Sequence, residues 1–536
     1  MSRSADTMVQ ERRSPPALDP DEARRHALQE RLVRPMPDDR LWGWIATLFV
    51  GAVAAVLRLV DLGRPNRLVF DETYYAKDAF ALLRFGDSRS FVEGADEMII
   101  AGNLDIFTDD PSFVVHPPAG KWLIAGGIHL LGMEPTGWRL ASALAGVITA
   151  MLVVRVGRRL FRSTMLGALA GLLLALDGLA IATSRIALLD GILAMFIVAA
   201  FACLLADRDY ARRRYAEWSA NLSVGADRAD LGPLIAWRPW RLAAAVLLGL
   251  ACATKWSGAY ALAVFGILTV VWEIGSRKAA GAPAPWAGAF AKDGPVAFLT
   301  MVPVAIGTYI VTWWGWIVGD NGHSRHWAES NPSSGIGALL PDWVRSLWHY
   351  HAEILGSHQN ITDDHPYESH ASGWLLLLRP VLFDYESIER GEQGCEVEEC
   401  SQAMLALGTP LLWWGGCVAL LVCLWMWLVK RDWRAGAILA GILATWVPWL
   451  FFTERTTFAF YAAAIAPFVV LAVAYGLGLI IGPRDSSPAR RMVGAALAGA
   501  YVLCTVALAA WFYPIHVDEV IPRDAWEARM WFNRWI

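Results

Sequence analysis

The chain has 536 residues, of which 56% are hydrophobic and 18% charged, and its mean hydropathy is +0.39. A string of soluble domains is excluded, because a chain this apolar has too few polar side chains to cover its surface. The formal net charge of −4 also excludes the basic surface of a nucleic-acid-binding protein. The 28 tryptophans fit a membrane protein, since tryptophan is enriched at both membrane–water interfaces. The composition therefore predicts an all-α polytopic membrane protein.

Residues 1–40 are polar and rich in arginine, and we expect them to form a disordered cytoplasmic tail. A membrane domain over residues 41–513 follows, because eleven segments approach the length of about 20 apolar residues that a transmembrane helix needs. These segments are Leu41–Val60, Trp138–Val156, Met165–Thr183, Ile186–Ala206, Leu242–Ala253, Gly258–Ile274, Val296–Val318, Thr409–Val429, Ala435–Phe452, Phe458–Ile481 and Met492–Phe512. The apolar stretch Trp122–Leu131 is only about half a span long, so we predict that it does not cross the membrane.

The distribution of lysine and arginine predicts the orientation of these spans. With the N-terminus in the cytoplasm, most of the basic residues fall on the cytoplasmic side, as the positive-inside rule requires. This orientation makes the protein multi-pass with an external C-terminus. Two long external loops result, a first loop over about residues 61–137 and a second loop over about residues 319–408. Residues 514–536, which are rich in tryptophan, are expected to form an external interfacial helix.

Cys395 and Cys400 lie in a polar, acidic part of the second loop, whereas the other five cysteines lie in apolar runs. If this loop faces an oxidising compartment, the two cysteines can form a short disulfide.

Two adjacent carboxylates, Asp71 and Glu72, follow the first span at the membrane surface, before a stretch with helical periodicity. One interpretation is structural: Asp71 is a good helix N-cap, and Glu72 complements the positive end of the helix. The other is catalytic, because a partly desolvated carboxylate in a cleft can act as a general base. The two interpretations are compatible.

Cationic side chains at the external ends of the spans suggest an anion site. His116 and Lys121 lie in a rigid His-Pro-Pro-Ala-Gly-Lys segment of the first loop, where they can serve an anion or only stabilise the loop. Five isolated charges flank or enter apolar runs on the same side: Arg139, Arg185, Asp190, Lys255 and Arg455. Charges at membrane depth are costly and are functional candidates, and arginine suits a phosphate group, although snorkelling at the interface is the alternative.

A carboxylate base, a cationic cluster and a cleft at the membrane surface fit group transfer from a lipid-linked phosphate donor to a hydroxyl. The base would take the hydroxyl proton, and the cations would stabilise the charge that develops on the phosphate leaving group.

Several motifs, in this order, resemble the protein O-mannosyltransferases, and most of all their actinobacterial members. They are Phe70-Asp71-Glu72-x-x-Tyr75-x-Lys77, His116-Pro117-Pro118-Ala119-Gly120-Lys121, Lys255-Trp256-Ser257-Gly258, His365-Pro366-Tyr367-x-Ser369 and Gly408-Thr409-Pro410-Leu411-Leu412-Trp413-Trp414. The resemblance implies a GT-C glycosyltransferase fold with eleven transmembrane helices and two large external loops. It also implies transfer of mannose, with inversion, from polyprenyl-phosphate mannose to Ser or Thr hydroxyls of exported proteins.

The resemblance further implies that Asp71 is the catalytic base, that Glu72 is its acidic partner and that Arg139 is needed for activity. Contacts to the donor's phosphate or sugar are expected from Arg139, Arg185, Arg455, His116, Lys121 and Asp190, with the roles of Arg185 and Arg455 resting on charge and topology alone. No metal or other cofactor is expected. The expected location is the plasma membrane, with a translocating Ser/Thr-rich polypeptide as acceptor and the Sec translocon as a partner.

Two alternatives remain open. One is a GT-C transferase with a lipid or glycan acceptor, similar to aminoarabinose or arabinosyl transferases, although the His365–Ser369 and Gly408–Trp414 patterns disfavour it. The other is a non-enzymatic transporter or scaffold, which the odd number of spans and the absence of an internal repeat disfavour.

Overall fold

The computed structural model describes residues 19, 27, 29–220, 231–483 and 485–536. The expected disordered tail therefore lies largely outside the described residues. Within the described ranges, seven helices are long and apolar enough to cross a membrane. They are Arg40–Leu59, Pro135–Phe161, Leu189–Ala220, Gly258–Ala280, Pro285–Thr312, Pro410–Leu428 and Pro488–His516. Four shorter apolar helices accompany them: Thr164–Ala175, Pro239–Thr254, Trp433–Thr445 and Ala466–Ile481.

Each of the eleven apolar segments overlaps one of these helices, and the number of membrane crossings itself stays a prediction. Several segments expected to be continuous are interrupted. The segment Met165–Thr183 breaks between Thr164–Ala175 and a short helix, Gly178–Ala182. Proline causes two further breaks, because its ring fixes φ and removes an N–H donor. Pro448 lies in the 3-10 helix Val447–Phe451, and Pro467 starts Ala466–Ile481 after the 3-10 helix Ala459–Ala464.

Buried polar side chains satisfy the backbone groups that one of these breaks leaves without partners. Asp177 accepts hydrogen bonds from Ala180 N, Thr409 N and Trp413 Nε1, at 3.1, 3.0 and 2.8 Å. Arg58, which is fully buried, donates to the carbonyls of Ala175 and Leu174 at 2.9 and 3.3 Å. An apolar environment tolerates a helix break only where such partners are present.

The first loop packs helices against a small sheet. Its elements are the helix Glu72–Phe85, strand β1 (Arg89–Phe91), the helix Ala95–Ile100, strand β2 (Phe107–Pro111) and the helix Ala119–Leu131. The last of these contains Trp122–Leu131 and is 13 residues, or about 20 Å, long, which is shorter than a membrane's hydrocarbon core.

The second loop carries a three-stranded antiparallel sheet of order β3-β4-β5, formed by Val381–Glu389, Glu399–Ala406 and Val520–Pro522. One helix of 18 residues, Asp342–Gln359, precedes the sheet, together with four short helices: Trp314–Val318, Trp327–Ser330, Gly335–Leu339 and Ala371–Gly373. The disulfide that the sequence allows between Cys395 and Cys400 is present and closes the β3–β4 hairpin. The expectation of an all-α protein is therefore right for the membrane helices but misses the four strands of the two loops and the fifth strand, β5, of the C-terminal segment.

The C-terminal segment corrects a second expectation. Instead of one interfacial helix over residues 514–536, it forms the 3-10 helix Tyr513–His516, strand β5, the short helix Arg523–Glu527 and the 3-10 helix Asn533–Trp535. The physical reason is burial, because β5 pairs with β4 while Trp526 and Trp535 pack into the protein core.

Glycines allow close packing in the membrane region. A Cβ added to Gly157 would lie 2.9 Å from Gly167 Cα, so the helices Pro135–Phe161 and Thr164–Ala175 meet backbone to backbone. The span Pro285–Thr312 is composed of three consecutive elements: the short helix Pro285–Gly288, the π-helical turn Ala289–Asp293 and the helix Gly294–Thr312.

We expect Asp177→Ala to lower the thermal stability of the detergent-solubilised protein strongly, because three buried donors lose their acceptor, at about 1–3 kcal/mol for each unsatisfied group. Asp177→Asn keeps one acceptor oxygen and should cost less. Thermal unfolding with Asp485→Ala as an exposed control tests this. Equal melting temperatures for Asp177→Ala and the control would contradict it.

Candidate active site

Glu72 is a structural carboxylate. Its side chain is fully buried, and both of its oxygens accept hydrogen bonds from Arg139, each at 2.8 Å. It also accepts from Ala187 N at 2.8 Å and from Val69 N at 3.1 Å. These bonds tie the start of the helix Glu72–Phe85 to two distant parts of the chain.

Arg139 uses every guanidinium nitrogen inside the protein. Besides Glu72, it donates to the carbonyls of Leu62, Pro65 and Arg67, at 3.2, 2.9 and 2.9 Å. Arg139 is fully buried and positions the segment that leads into Asp71, and its contact with the donor stays a prediction.

Arg185 and Lys121 are also engaged elsewhere. Arg185 donates to the carbonyls of Arg58, Val60 and Asp61 at the end of the first helix, at 3.2, 2.7 and 2.7 Å. Lys121 forms a buried ion pair with Asp78 at 2.8 Å. Neither lines the large cavity described below, and their contact with the donor stays a prediction. The sequence shows that such charges need partners but not which partners they have.

A cavity of about 790 Å³ has in its wall Lys255, whose charge acts on Asp71. Its polar and charged wall includes His116, Lys255, His358 and Arg455, and its apolar wall includes Trp449, Phe451 and Phe452. An apolar wall beside cationic groups suits a ligand with an anionic head and a hydrocarbon chain.

Lys255 is held by Asp190, whose two carboxylate oxygens lie 2.9 and 3.0 Å from Nζ. The ammonium group also lies 4.1 Å from the centre of the Tyr461 ring. Asp190 is buried and does not line the cavity, so it acts through Lys255.

Arg455 belongs to the same cavity wall. Its Nε donates to the carbonyl of His358 at 3.2 Å, and its guanidinium lies 5.7 Å from the centre of the Trp449 ring. The side chain is partly exposed and pairs with no carboxylate among the described residues. Its charge is therefore available to a ligand.

Asp71 differs sharply from its neighbour Glu72. It occupies the N-cap position of Glu72–Phe85 but accepts no capping hydrogen bond, so the purely structural interpretation lacks its defining contact. Its Oδ2 accepts one hydrogen bond, from Tyr75 Oη at 3.3 Å. The preceding residue, Phe70, has a φ of +51°, which is uncommon for a bulky side chain and marks a site held in place by its surroundings.

The environment of Asp71 raises its proton affinity. Burial raises the pKa of Asp71 to about 6, against the opposing charge of Lys255 and with a further upward contribution from Asp190. Burial, together with the charge of Lys255, lowers the pKa of His116 well below its ordinary value. Asp71 therefore titrates close to neutral pH, whereas His116 is neutral there.

Several site residues were not predicted from sequence. Tyr75 donates a hydrogen bond to Asp71, and the centre of the His358 ring lies 5.3 Å from that of the His116 ring. Tyr75 belongs to a motif that was quoted only for its resemblance, and nothing in the sequence near His358 indicates a site. No cluster of three His, Cys, Asp or Glu side chains suited to a metal ion occurs among the described residues.

Comparison with known proteins identifies the family. A family model described as dolichyl-phosphate-mannose-protein mannosyltransferase matches residues 48–227, and one described as the C-terminal four TMM region of protein-O-mannosyltransferase matches residues 343–535. The polyprenol-phosphate-mannose–protein mannosyltransferase of Mycolicibacterium smegmatis strain mc(2)155 is 39% identical over 520 residues, covering 94% of this chain and 96% of the relative. This chain belongs to the protein O-mannosyltransferase family.

Two further comparisons agree. The polyprenol-phosphate-mannose–protein mannosyltransferase of Mycobacterium tuberculosis strain H37Rv is 37% identical over 511 residues, covering 93% of each chain. The structure of the Saccharomyces cerevisiae protein O-mannosyltransferase Pmt1–Pmt2 complex bound to the sugar donor has a TM-score of 0.67 at 14% identity, covering 95% of this chain and 94% of that chain. The fold of this protein O-mannosyltransferase is thus the GT-C fold that its sequence predicted.

We expect Arg139→Ala to destabilise the protein by about 3–5 kcal/mol, because it leaves the buried carboxylate of Glu72 without its counter-charge. The double variant Glu72→Gln with Arg139→Ala should recover part of this loss. Thermal unfolding in detergent measures both, with Arg214→Ala as the control, since Arg214 forms an exposed pair with Glu217. A loss no larger than that of the control would contradict the structural role.

Proposed function

We propose that this protein transfers mannose from polyprenyl-phosphate mannose to Ser or Thr hydroxyls of exported polypeptides at the external membrane face. The observation that carries the proposal is the carboxylate of Asp71, which lacks a capping bond and lies within electrostatic range of Lys255 in the wall of the large cavity. The family relatives named above, which align over nearly their whole length, support the choice of donor and acceptor.

Asp71 acts as the general base in this reaction. Its carboxylate takes the proton of the acceptor hydroxyl as that oxygen attacks the anomeric carbon of mannose from the face opposite the phosphate. The bond between this carbon and the phosphate oxygen breaks, and its electron pair leaves with the polyprenyl phosphate. Configuration at the sugar carbon is therefore inverted.

Lys255, Arg455 and His116 receive the donor's phosphate. Lys255 and Arg455 supply positive charge to the leaving group, and neutral His116 can donate one ring N–H. Asp190 positions Lys255 through their ion pair. The apolar wall formed by Trp449, Phe451 and Phe452 takes the first part of the prenyl chain. With two cationic side chains at the phosphate, transfer proceeds without a divalent metal.

The site faces the outside of the plasma membrane, with the N-terminus in the cytoplasm and the C-terminus outside. The distribution of basic residues supports this orientation. The disulfide between Cys395 and Cys400 supports it independently, because disulfides persist in oxidising compartments. An acceptor emerging from the Sec translocon would meet the site while still extended.

Asp71→Asn tests the reaction and the role of the base together. Membranes with matched amounts of wild-type or variant protein receive labelled polyprenyl-phosphate mannose with a Thr-containing peptide, and separately with a lipid acceptor. We expect mannosyl-peptide from the wild type and a loss of at least a hundredfold in the variant, since general bases contribute about 10²–10⁴ in rate.

Asp110→Asn is the matched control, because Asp110 is an exposed carboxylate of the same loop, and it should retain full activity. Full activity is also expected in EDTA. Label in the lipid acceptor alone would favour the other class of GT-C transferase, and label in neither acceptor would reject the proposal.

The activity should depend on pH through Asp71. Because a base must be deprotonated, kcat/KM should fall about tenfold per pH unit below a pH of about 6 and be flat above it. Tyr75→Phe removes a hydrogen bond that lowers the pKa of Asp71, so the acid limb should move to higher pH. Profiles of kcat/KM over pH 4.5–8.5 for both proteins measure the shift, and an unchanged limb in Tyr75→Phe would contradict Asp71 as the titrating group.

A further inference from the structure

A second cavity, which we call the sheet groove, lies between strand β3 and the C-terminal segment and has a volume of about 520 Å³. Its walls include Tyr367, Leu382, Tyr385, Arg523, Trp526 and Met530. Three of these side chains are aromatic, and the ring centres of Tyr385 and Trp526 are 5.3 Å apart. The sheet groove is separate from the large cavity that Lys255 and Arg455 line, and the two share no lining residue.

A β-bulge in β3 lets this strand line the sheet groove and also contact Phe70, the residue before Asp71. The register between β3 and β4 shifts between Leu382 and Asp384, so that Leu382 and Tyr385 both line the sheet groove although they are three positions apart. The residue between them in the bulge, Phe383, packs against Phe70 with ring centres 5.1 Å apart. Phe70 immediately precedes Asp71, so the strand that lines the sheet groove also supports the catalytic residue.

Ion pairs of Arg67 connect strand β3 to the segment that leads into Asp71. The guanidinium of Arg67 donates to both carboxylate oxygens of Asp384, at 3.2 and 2.7 Å, and to Glu386 at 2.9 Å. The carbonyl of Arg67 in turn accepts from Arg139. The sheet groove, the lead-in to Asp71 and the buried Glu72 pair are thus one connected assembly.

The wall of the sheet groove contains an unpaired donor. Trp526 is only 5% exposed, and its indole Nε1 donates to no acceptor in the part of the chain that the structure describes. A buried N–H without an acceptor costs free energy, which a ligand that brings a carbonyl oxygen within hydrogen-bond distance would recover. The residue therefore favours a ligand that carries carbonyl oxygens.

We propose that the sheet groove binds an extended, polyproline-type segment of the acceptor polypeptide that carries the hydroxyl activated by Asp71. A polyproline II helix has no internal hydrogen bonds, so its carbonyls are free to accept from groups such as the Trp526 indole. Grooves lined by aromatic side chains are the usual receptors for such segments. The inference rests on the proposed function for the identity of the ligand as the acceptor, but binding to the groove is testable by itself.

Two peptides with one Thr each test the proposal, one flanked by an Ala-Pro repeat and the other by a Gly-Ser repeat of equal length. For Tyr385→Ala, we expect KM for the Ala-Pro peptide to rise about tenfold with kcat unchanged, as loss of one aromatic contact predicts. The Gly-Ser peptide should be unaffected. Tyr385→Phe keeps the ring and should behave as the wild type.

Trp348→Ala is the matched control, because Trp348 is an aromatic residue of the second loop that is 79% exposed and lies outside the sheet groove. Equal effects of Tyr385→Ala on the two peptides, or no effect on either, would overturn the proposal.

Photo-crosslinking tests peptide binding to the sheet groove independently of mannose transfer. An Ala-Pro peptide carrying benzoylphenylalanine should label residues 523–530 in the wild type and in Asp71→Asn, and excess Ala-Pro peptide should compete more strongly than Gly-Ser peptide. If no peptide is mannosylated but this labelling is present, the proposed function fails and the peptide-binding groove stands. Labelling elsewhere, or equal competition by both peptides, overturns the groove.

Discussion

The ion pair between Glu72 and Arg139 is the interaction on which the rest of the site depends. It is fully buried, and between them the two side chains bind the backbone of Leu62, Pro65, Arg67, Val69 and Ala187. A buried charge pair is tolerated only where further hydrogen bonds satisfy it, and here every donor of the guanidinium is used. The end of the first helix and the start of Glu72–Phe85 are therefore held in one geometry, and Asp71 lies at the point where they join.

Adjacent acidic residues take opposite roles because their surroundings differ. Glu72 accepts hydrogen bonds from Arg139 and from two backbone N–H groups, whereas Asp71 accepts one hydrogen bond, from a tyrosine, in a largely desolvated environment. The same division separates the cations. Arg139 and Arg185 are used on carbonyls and a carboxylate inside the fold, while Arg455 is left for the cavity. In both cases, residues with the same charge have different roles because the groups packed around them differ.

The sequence predicted what depends on local pattern and failed where distant partners decide. The apolar segments, the Asp71–Glu72 pair and the Cys395–Cys400 disulfide could be predicted from composition, motif and spacing. The roles of Arg139, Arg185 and Lys121 could not, because their acceptors lie far away in the sequence or on the backbone. The strand Val520–Pro522 was missed for a similar reason: three residues carry no periodicity, and it exists only because β4 offers a free edge.

Arg58 has a consequence for how the chain is assembled in the membrane. Its helix, Arg40–Leu59, is made first, yet the carbonyls that satisfy its guanidinium belong to Leu174 and Ala175, the first of which lies 116 residues later. Until then the guanidinium lacks both of these acceptors and has the carbonyl of Ala54, 3.5 Å away in its own helix, as a partner. The buried contacts of Arg58 can therefore form only after Thr164–Ala175 is in place, so the first helix cannot reach its final packing before that segment is made.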